Sequence, residues 1–217
     1  MYKAAQIPFF ISFALIIVFA LGEITDVDLS PLGILPRDSE GFLGIFTAYF
    51  VHANIEHLLS NVFSFFFLAT AMFWFYPQTA PKVLTYGYWL TGLLVWIFAR
   101  PSVHIGASGL VYVLASFLIF SGFFRKSYGS IVISAAIFLM HGGMIVGIFP
   151  QGNNVSWESH LAGFLLGLLF AYIWRNENDF EEPQKRNPYD PYFPYQRGYR
   201  NWEGKDYHYV FREKGKR

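Results

Sequence analysis

Two polar side chains stand at the heads of long apolar runs. Ser108 lies in Gly106-Ala107-Ser108-Gly109, and His160 lies in Ser159-His160-Leu161-Ala162-Gly163. A hydroxyl and an imidazole are costly in lipid, so their default reading in membrane helices is functional. Together they are the minimal parts of a nucleophile and its base. Glycines on both sides of Ser108 allow tight backbone approach. A helix starting there offers free N–H groups and a positive dipole end to a developing oxyanion. A small-residue packing patch is the simpler alternative. His160 is followed by Gly163 and Gly167 at i+3 and i+7, a face that lets another helix come close. If that neighbour is the helix headed by Ser108, ring and hydroxyl can meet; otherwise His160 is a hydrogen-bonded interface histidine. Glu158 is the acidic residue nearby, and at i−2 it points to another face, so the pair is a dyad rather than a triad. Tyr112, at i+4 from Ser108, can stack on the imidazole, or can simply pack.

A third group runs from His52 through Glu56 and His57 to Asn61. Asn61 in a Phe-rich helix is expensive unless hydrogen-bonded. Amide and imidazole N–H groups are the usual side-chain donors to an oxyanion. Helix–helix bonding is the competing reading, preferred for His57. A zinc site is disfavoured, because the His-Glu-x-x-His spacing is absent. His104 and His141 fit no chemical pattern.

The elements that must hold these residues are apolar. Of 217 residues, 54% are hydrophobic and 14% charged, against roughly 25% charged in soluble domains. Most charges fall within 23–56 and after Arg175. This pattern fits a polytopic membrane protein. The net charge of +1 gives no hint of nucleic-acid binding, and the absence of cysteine excludes disulfides and thiol chemistry. Six spanning helices are expected, over 4–21, 57–76, 82–99, 108–124, 128–149 and 158–174. The first follows Lys3 like a signal peptide, but its length favours a retained helix. Lys3, Lys82, Arg125 and Lys126 share one side, which puts both termini in the cytoplasm. Residues 23–54 mix aromatic and acidic residues, as short helices in the membrane interface do. Residues 1–175 form the membrane domain, and 176–217, rich in proline and tyrosine, read as a little-ordered cytoplasmic tail. No internal repeat favours a transporter.

Three motifs, in order, resemble those of the rhomboid family of intramembrane serine proteases. His52 and His57 with Asn61 resemble its His-x₄-His-x₃-Asn, Gly106-Ala107-Ser108-Gly109 its Gly-x-Ser-Gly, and His160 with Gly163 and Gly167 its last-helix motif. The resemblance covers roughly 23–175. It implies an all-α six-helix bundle with an interfacial first loop. Ser108 would be the nucleophile and His160 the general base. His52, Asn61 and the Ser108 N–H would line the oxyanion hole, supported by Gly106 and Tyr112, with His57 structural and Gly109, Gly163 and Gly167 in helix packing. The Trp-Arg pair that many members carry in the first loop is absent, Phe42-Leu43-Gly44 occupying that region, and Ser159 replaces the usual Ala. The implied reaction is hydrolysis of a peptide bond in a substrate's transmembrane helix, reached laterally past the second and fifth helices, without metal or organic cofactor. Substrate helices and the lipid bilayer are the implied partners. A catalytically silent relative that binds membrane helices is the alternative, with a transporter or channel behind it.

Overall fold

The computed structural model describes residues 2–150 and 155–179. The expected tail lies outside these residues from position 180 onward. The described chain is helical, its one β-type pairing a single antiparallel bridge between Ile34 and His104.

α1 (Tyr2–Thr25) is apolar all round and packs on α3 (Ile55–Phe75). Between them the chain makes 3-10 turns at Ser30–Leu32, Glu40–Phe42 and Ala48–Phe50 around the single-turn α2 (Gly44–Thr47). This first loop is tied to the end of α4 (Ala80–Phe98). Arg37 donates to the carbonyls of Ile97 (3.1 Å) and Ala99 (2.8 Å), and Trp96 Nε1 donates to the Asp38 carbonyl at 3.0 Å. A guanidinium on the orphan carbonyls of a helix C-terminus satisfies them and complements the dipole. A loop arginine and a helix tryptophan thus anchor the loop without a Trp-Arg pair in its own sequence.

α3 begins at Asn54, whose side chain accepts from the His57 N–H at 2.8 Å, and it stops before Pro77. α5 (Ser108–Arg125) is the central helix, packed against α3, α4, α6 (Tyr128–His141) and α7 (Trp157–Ile173), and most of its side chains are buried. α6 and α7 are capped by Ser127 and Ser156. α5 and α7 approach backbone to backbone. A Cβ on Gly163 would fall on the Gly109 carbonyl, and one on Gly167 on the Val113 carbonyl. Ser116 Oγ adds a bond to the Phe164 carbonyl at 2.7 Å across the same seam.

At the far end of α5, Arg125 and Asp179 form a buried ion pair at 2.8 Å, 4% and 0% exposed. Arg125 also donates to the carbonyls of Trp174 and Glu177, and Asp179 accepts from the Gln78 and Thr79 N–H groups. Lys82 pairs with Glu177 at 2.6 Å. Residues 177–179 are therefore held against the α3–α4 turn and the end of α5.

One expectation changes. The fifth apolar run is not one helix over 128–149: α6 ends at His141 and residues Gly142–Ile148 form 3-10 turns. Gly142, Gly143 and Gly147 weaken the helix there, and the turn redirects two carbonyls toward the site. Among the described residues, four segments are long and apolar enough to cross a membrane: Lys3–Thr25, Ile55–Phe75, Ser108–Arg125 and Tyr128–Ile148. α7 is apolar but has 17 residues, and α4 is diluted by Lys82, two threonines and two tyrosines.

Candidate active site

Ser108 is the first residue of α5, and the approach to it is set by Gly106. That residue has φ +102°, and a Cβ on it would lie 2.7 Å from the His57 ring. The left-handed backbone and the lack of room both demand glycine. The Gly106 N–H is anchored on the Ala48 carbonyl at 2.9 Å. Ser108 thus enters the helix at its N-terminus, where the first N–H groups have no intrahelical acceptor.

His160 sits in the first turn of α7, 8% exposed. Its Nε2 lies 2.9 Å from Ser108 Oγ. Its Nδ1 lies 3.0 Å from the Gly147 carbonyl. A carbonyl can only accept, so the neutral ring carries its proton on Nδ1 and turns a lone pair toward the Ser108 hydroxyl. Tyr112 stacks on the imidazole, with centroids 4.3 Å apart and planes 11° from parallel. The Tyr112 hydroxyl donates to the Met144 carbonyl at 2.7 Å. The ring is therefore fixed by a tyrosine face on one side and by a backbone carbonyl at its edge.

Both residues open onto a cavity of about 680 Å³ that also receives His57, Ser60, Asn61 and Ser64. These four lie at i, i+3, i+4 and i+7 on one face of α3. Asn61 Nδ2 donates one proton to the His57 carbonyl at 3.0 Å, which leaves its second free. A separate apolar cavity of about 240 Å³ between α1, α3 and α4 contains neither Ser108 nor His160.

His52 is not among the residues that line the site. It is 8% exposed, and its ring packs edge-on against His57 with centroids 5.1 Å apart. Neither ring nitrogen makes a hydrogen bond of acceptable geometry, although the Phe50 backbone lies near enough to favour its charged form. Burial, reinforced by His57, lowers its pKa to about 4. Of the two histidines, His57 rather than His52 faces the cavity. His52 precedes the Asn54 cap and is turned away, whereas His57 shares a helical face with Asn61. Ser108, His160, Tyr112, Asn61 and Gly106 come together as a group, with Gly109, Gly163 and Gly167 at the α5–α7 seam.

Two contributors escaped the sequence reading. Gly147 supplies the carbonyl that orients His160, and a Cβ on it would collide with the Tyr112 hydroxyl. His104 and Ser156 bond across the cavity rim at 2.6 Å. The glycines of 142–147 were the available signal for the first, being unusual inside an apolar run; the second had none.

The Rhomboid domain family model matches residues 39–177. The chain belongs to the rhomboid family. An uncharacterized protein of Mycobacterium tuberculosis is 31% identical over 176 residues, covering 73% of this chain and 70% of the relative. One from Mycobacterium leprae is 30% identical over 176 residues, covering 73% and 66%. RHOMBOID-like protein 1 of Arabidopsis thaliana is 23% identical over 169 residues, covering 68% and 41%. As a rhomboid the chain is a multi-pass integral membrane protein with a helical bundle in the bilayer. The family match begins at Ser39, so it takes in the second half of the first loop and every residue of the cavity described above.

Proposed function

We propose that this rhomboid is an intramembrane serine endopeptidase that cleaves transmembrane segments of other membrane proteins. The observation that carries the reading is the aligned chain from Ser108 Oγ through the His160 ring to the Gly147 carbonyl. Ser108 attacks the scissile carbonyl carbon while His160 Nε2 takes the hydroxyl proton. The imidazolium then protonates the leaving amine, and the resulting acyl-enzyme is hydrolysed by a water that His160 activates in turn. The Ser108 N–H, Asn61 Nδ2 and the His57 ring stabilise the oxyanion. His57 takes the place expected for His52, because it shares the cavity with Asn61 and touches the Gly106 turn. No acid is needed beside the ring, since the Gly147 carbonyl fixes the tautomer and Tyr112 fixes the plane.

Six helices cross the membrane in this reading, with α4 and α7 completing the set of four long apolar segments. The cavity, the first loop and the starts of α3 and α7 lie at one end of the bundle. Lys82, Arg125 and Lys126 lie at the other, which supports cytoplasmic termini and a site that hydrates from the opposite side.

The test uses purified protein in lipid with a labelled transmembrane substrate. Ser108→Ala and His160→Ala each abolish cleavage without unfolding the protein, and a fluorophosphonate labels Ser108. Cleavage by Ser108→Ala would refute the assignment. A folded wild type that neither cleaves nor is labelled leaves the catalytically silent helix binder. Asn61→Ala and His57→Ala each slow turnover by roughly ten- to a thousand-fold, whereas His52→Gln does not.

A further inference from the structure

A second serine–histidine contact stands directly upstream of the first on the same two chain segments. His104 precedes Ser108 by four residues, and Ser156 precedes His160 by four. His104 Nδ1 lies 2.6 Å from Ser156 Oγ, and Ser108 Oγ lies 2.9 Å from His160 Nε2. The two pairs have the same separation in sequence, 52 residues, with serine and histidine exchanged. Just beyond Ser108, Gly109 and Gly163 bring the same segments into backbone contact. The Ser108–His160 bond is thus the middle rung of three.

The hydrogen positions of the upstream rung follow from its partners. His104 Nε2 faces the Arg100 carbonyl at 3.0 Å, so that nitrogen carries the proton. Nδ1 is then an acceptor and takes the Ser156 hydroxyl proton. Ser156 Oγ in turn accepts from Ser159 Oγ at 2.6 Å and from the Ser159 N–H at 3.3 Å, and so caps α7. Arg100 flanks this node. It donates to the Val155 carbonyl at 2.9 Å and lies 3.5 Å from Glu158 Oε1. The other side of His104 is held by its backbone, paired in both directions with Ile34 of the first loop at 2.9 Å. His104 is 2% exposed, and its burial, the largest influence on it, keeps the ring neutral, as an accepting Nδ1 requires.

We infer that His104 is a positioning residue whose bond to Ser156 sets the register of the α7 start against the Ser108 loop, and with it the Ser108–His160 distance. It touches no reacting atom in the proposed mechanism. Its effect is transmitted along one turn of helix on one side and four loop residues on the other. Without the upstream rung, the glycine contact and the rim contacts of Arg100 to Val155 and Glu158 remain, and the start of α7 can turn about the glycine contact. Misplacement of a reacting pair by about 1 Å costs on the order of a hundred-fold in rate.

Two near-isosteric variants separate this role from general support. His104→Asn keeps an acceptor oxygen at the Nδ1 position and loses the donor to Arg100. His104→Gln keeps a donor near the Nε2 position and loses the acceptor for Ser156. Full-length chain labelled with [¹⁵N]histidine is reconstituted in lipid, and the His160 ring nitrogens are followed together with fluorophosphonate labelling and cleavage. In His104→Gln the His160 Nε2 resonance moves toward its position in Ser108→Ala. Labelling of Ser108 and kcat fall roughly ten- to a hundred-fold, with KM within about twofold. His104→Asn stays near wild type in all three. Equal behaviour of the two variants, or a His160 resonance that ignores both, would overturn the inference. So would labelling at Ser156, which would make the upstream serine a nucleophile. The kinetic arm rests on the protease reading, but the resonance arm does not: an inactive wild type whose His160 signal still responds to His104→Gln loses the protease reading and keeps the positioning role.

Discussion

Replacing Gly147 by alanine adds one methyl group to a residue that supplies no side chain, yet it strikes both supports of the dyad. The new Cβ would fall within the contact radius of the Tyr112 hydroxyl and 3.2 Å from His160 Nδ1. Gly147 has no left-handed backbone, so alanine is conformationally allowed and the steric effect is isolated. Two relaxations are open. Tyr112 can swing away, which breaks its 2.7 Å bond to the Met144 carbonyl and unstacks it from the imidazole. Alternatively the 142–148 segment can retreat, which lengthens the 3.0 Å bond from His160 Nδ1 to the Gly147 carbonyl. A lost hydrogen bond costs about 1 kcal/mol and overpacking about 1–3 kcal/mol. If half or more of that falls on the dyad alignment, kcat drops about ten- to a hundred-fold, since each 1.4 kcal/mol is a factor of ten. Gly143→Ala is the control, because a Cβ there meets nothing within 4 Å. Removing the hydroxyl that is struck should relieve the collision, so Gly147→Ala/Tyr112→Phe should be more active than Gly147→Ala alone. The assay is cleavage of a labelled transmembrane substrate, with fluorophosphonate labelling as a check on Ser108. Full activity in Gly147→Ala, or a double variant worse than the product of the singles, would refute the claim that carbonyl and tyrosine act together on the ring.

Other perturbations test separate parts of the molecule. Gly106→Ala places a side chain at φ +102° against the His57 ring; the strain of about 1–3 kcal/mol should appear as a lower melting temperature together with a loss of turnover. Arg125→Met or Asp179→Asn leaves one member of a buried ion pair unmatched, a loss of about 3–5 kcal/mol measurable by thermal or detergent unfolding, while the double replacement should cost less than the two singles combined. His52 titrates near 4 in the fold against 6.5 when unfolded. The unfolded chain therefore takes up a proton that the fold refuses as pH falls below 6.5. Stability should be flat above that pH and decline between 6.5 and about 4, by on the order of 3 kcal/mol in full. His52→Gln should flatten the decline in a plot of melting temperature against pH, and an unchanged slope would contradict the burial argument.

What the sequence disclosed was whatever has a period or a local spacing. The i+3 and i+7 glycines after His160 pointed to a close neighbour, and Gly163 meets that neighbour at Gly109. Tyr112 at i+4 from Ser108 lies against the imidazole for the same helical reason. The i+4 relation between His57 and Asn61 is equally legible, yet helix–helix bonding is the preferred reading of His57 from the residues, and the resemblance implies a structural role for it. The Asn54 cap places the helix start after His52, and His57 and Asn61 line the cavity together. Backbone acceptors leave no direct mark in a sequence; the glycines at 142, 143 and 147 signal a break in the fifth apolar run, but not that the Met144 and Gly147 carbonyls meet Tyr112 and His160. The His104–Ser156 bond joins residues 52 positions apart and has no periodic signature at all.

Under the protease reading, the distribution of these contacts accounts for a dyad that stays aligned while a substrate helix enters. α5 and α7 are joined at the cavity end by the polar rungs, in the middle by Gly109, Gly163, Gly167 and Ser116, and at the far end by Arg125 reaching the Trp174 carbonyl. Both reacting side chains ride on this pair. α6 is bound more lightly: it packs on α5 through small residues such as Gly122 and Ser134, and His141 stacks on Phe67 of α3 with 5.7 Å between centroids. Displacement of α6 away from α3 would expose the cavity sideways and leave the Ser108–His160 distance untouched, since neither residue lies on the moving helix. The carbonyls of Met144 and Gly147 lie on the 3-10 segment that continues α6. Any such motion that extends past His141 therefore loosens the imidazole and returns it to register when the segment closes. A backbone carbonyl in place of an acidic third residue couples the orientation of the base to the position of the segment beside it, which a carboxylate fixed on α5 or α7 would not do.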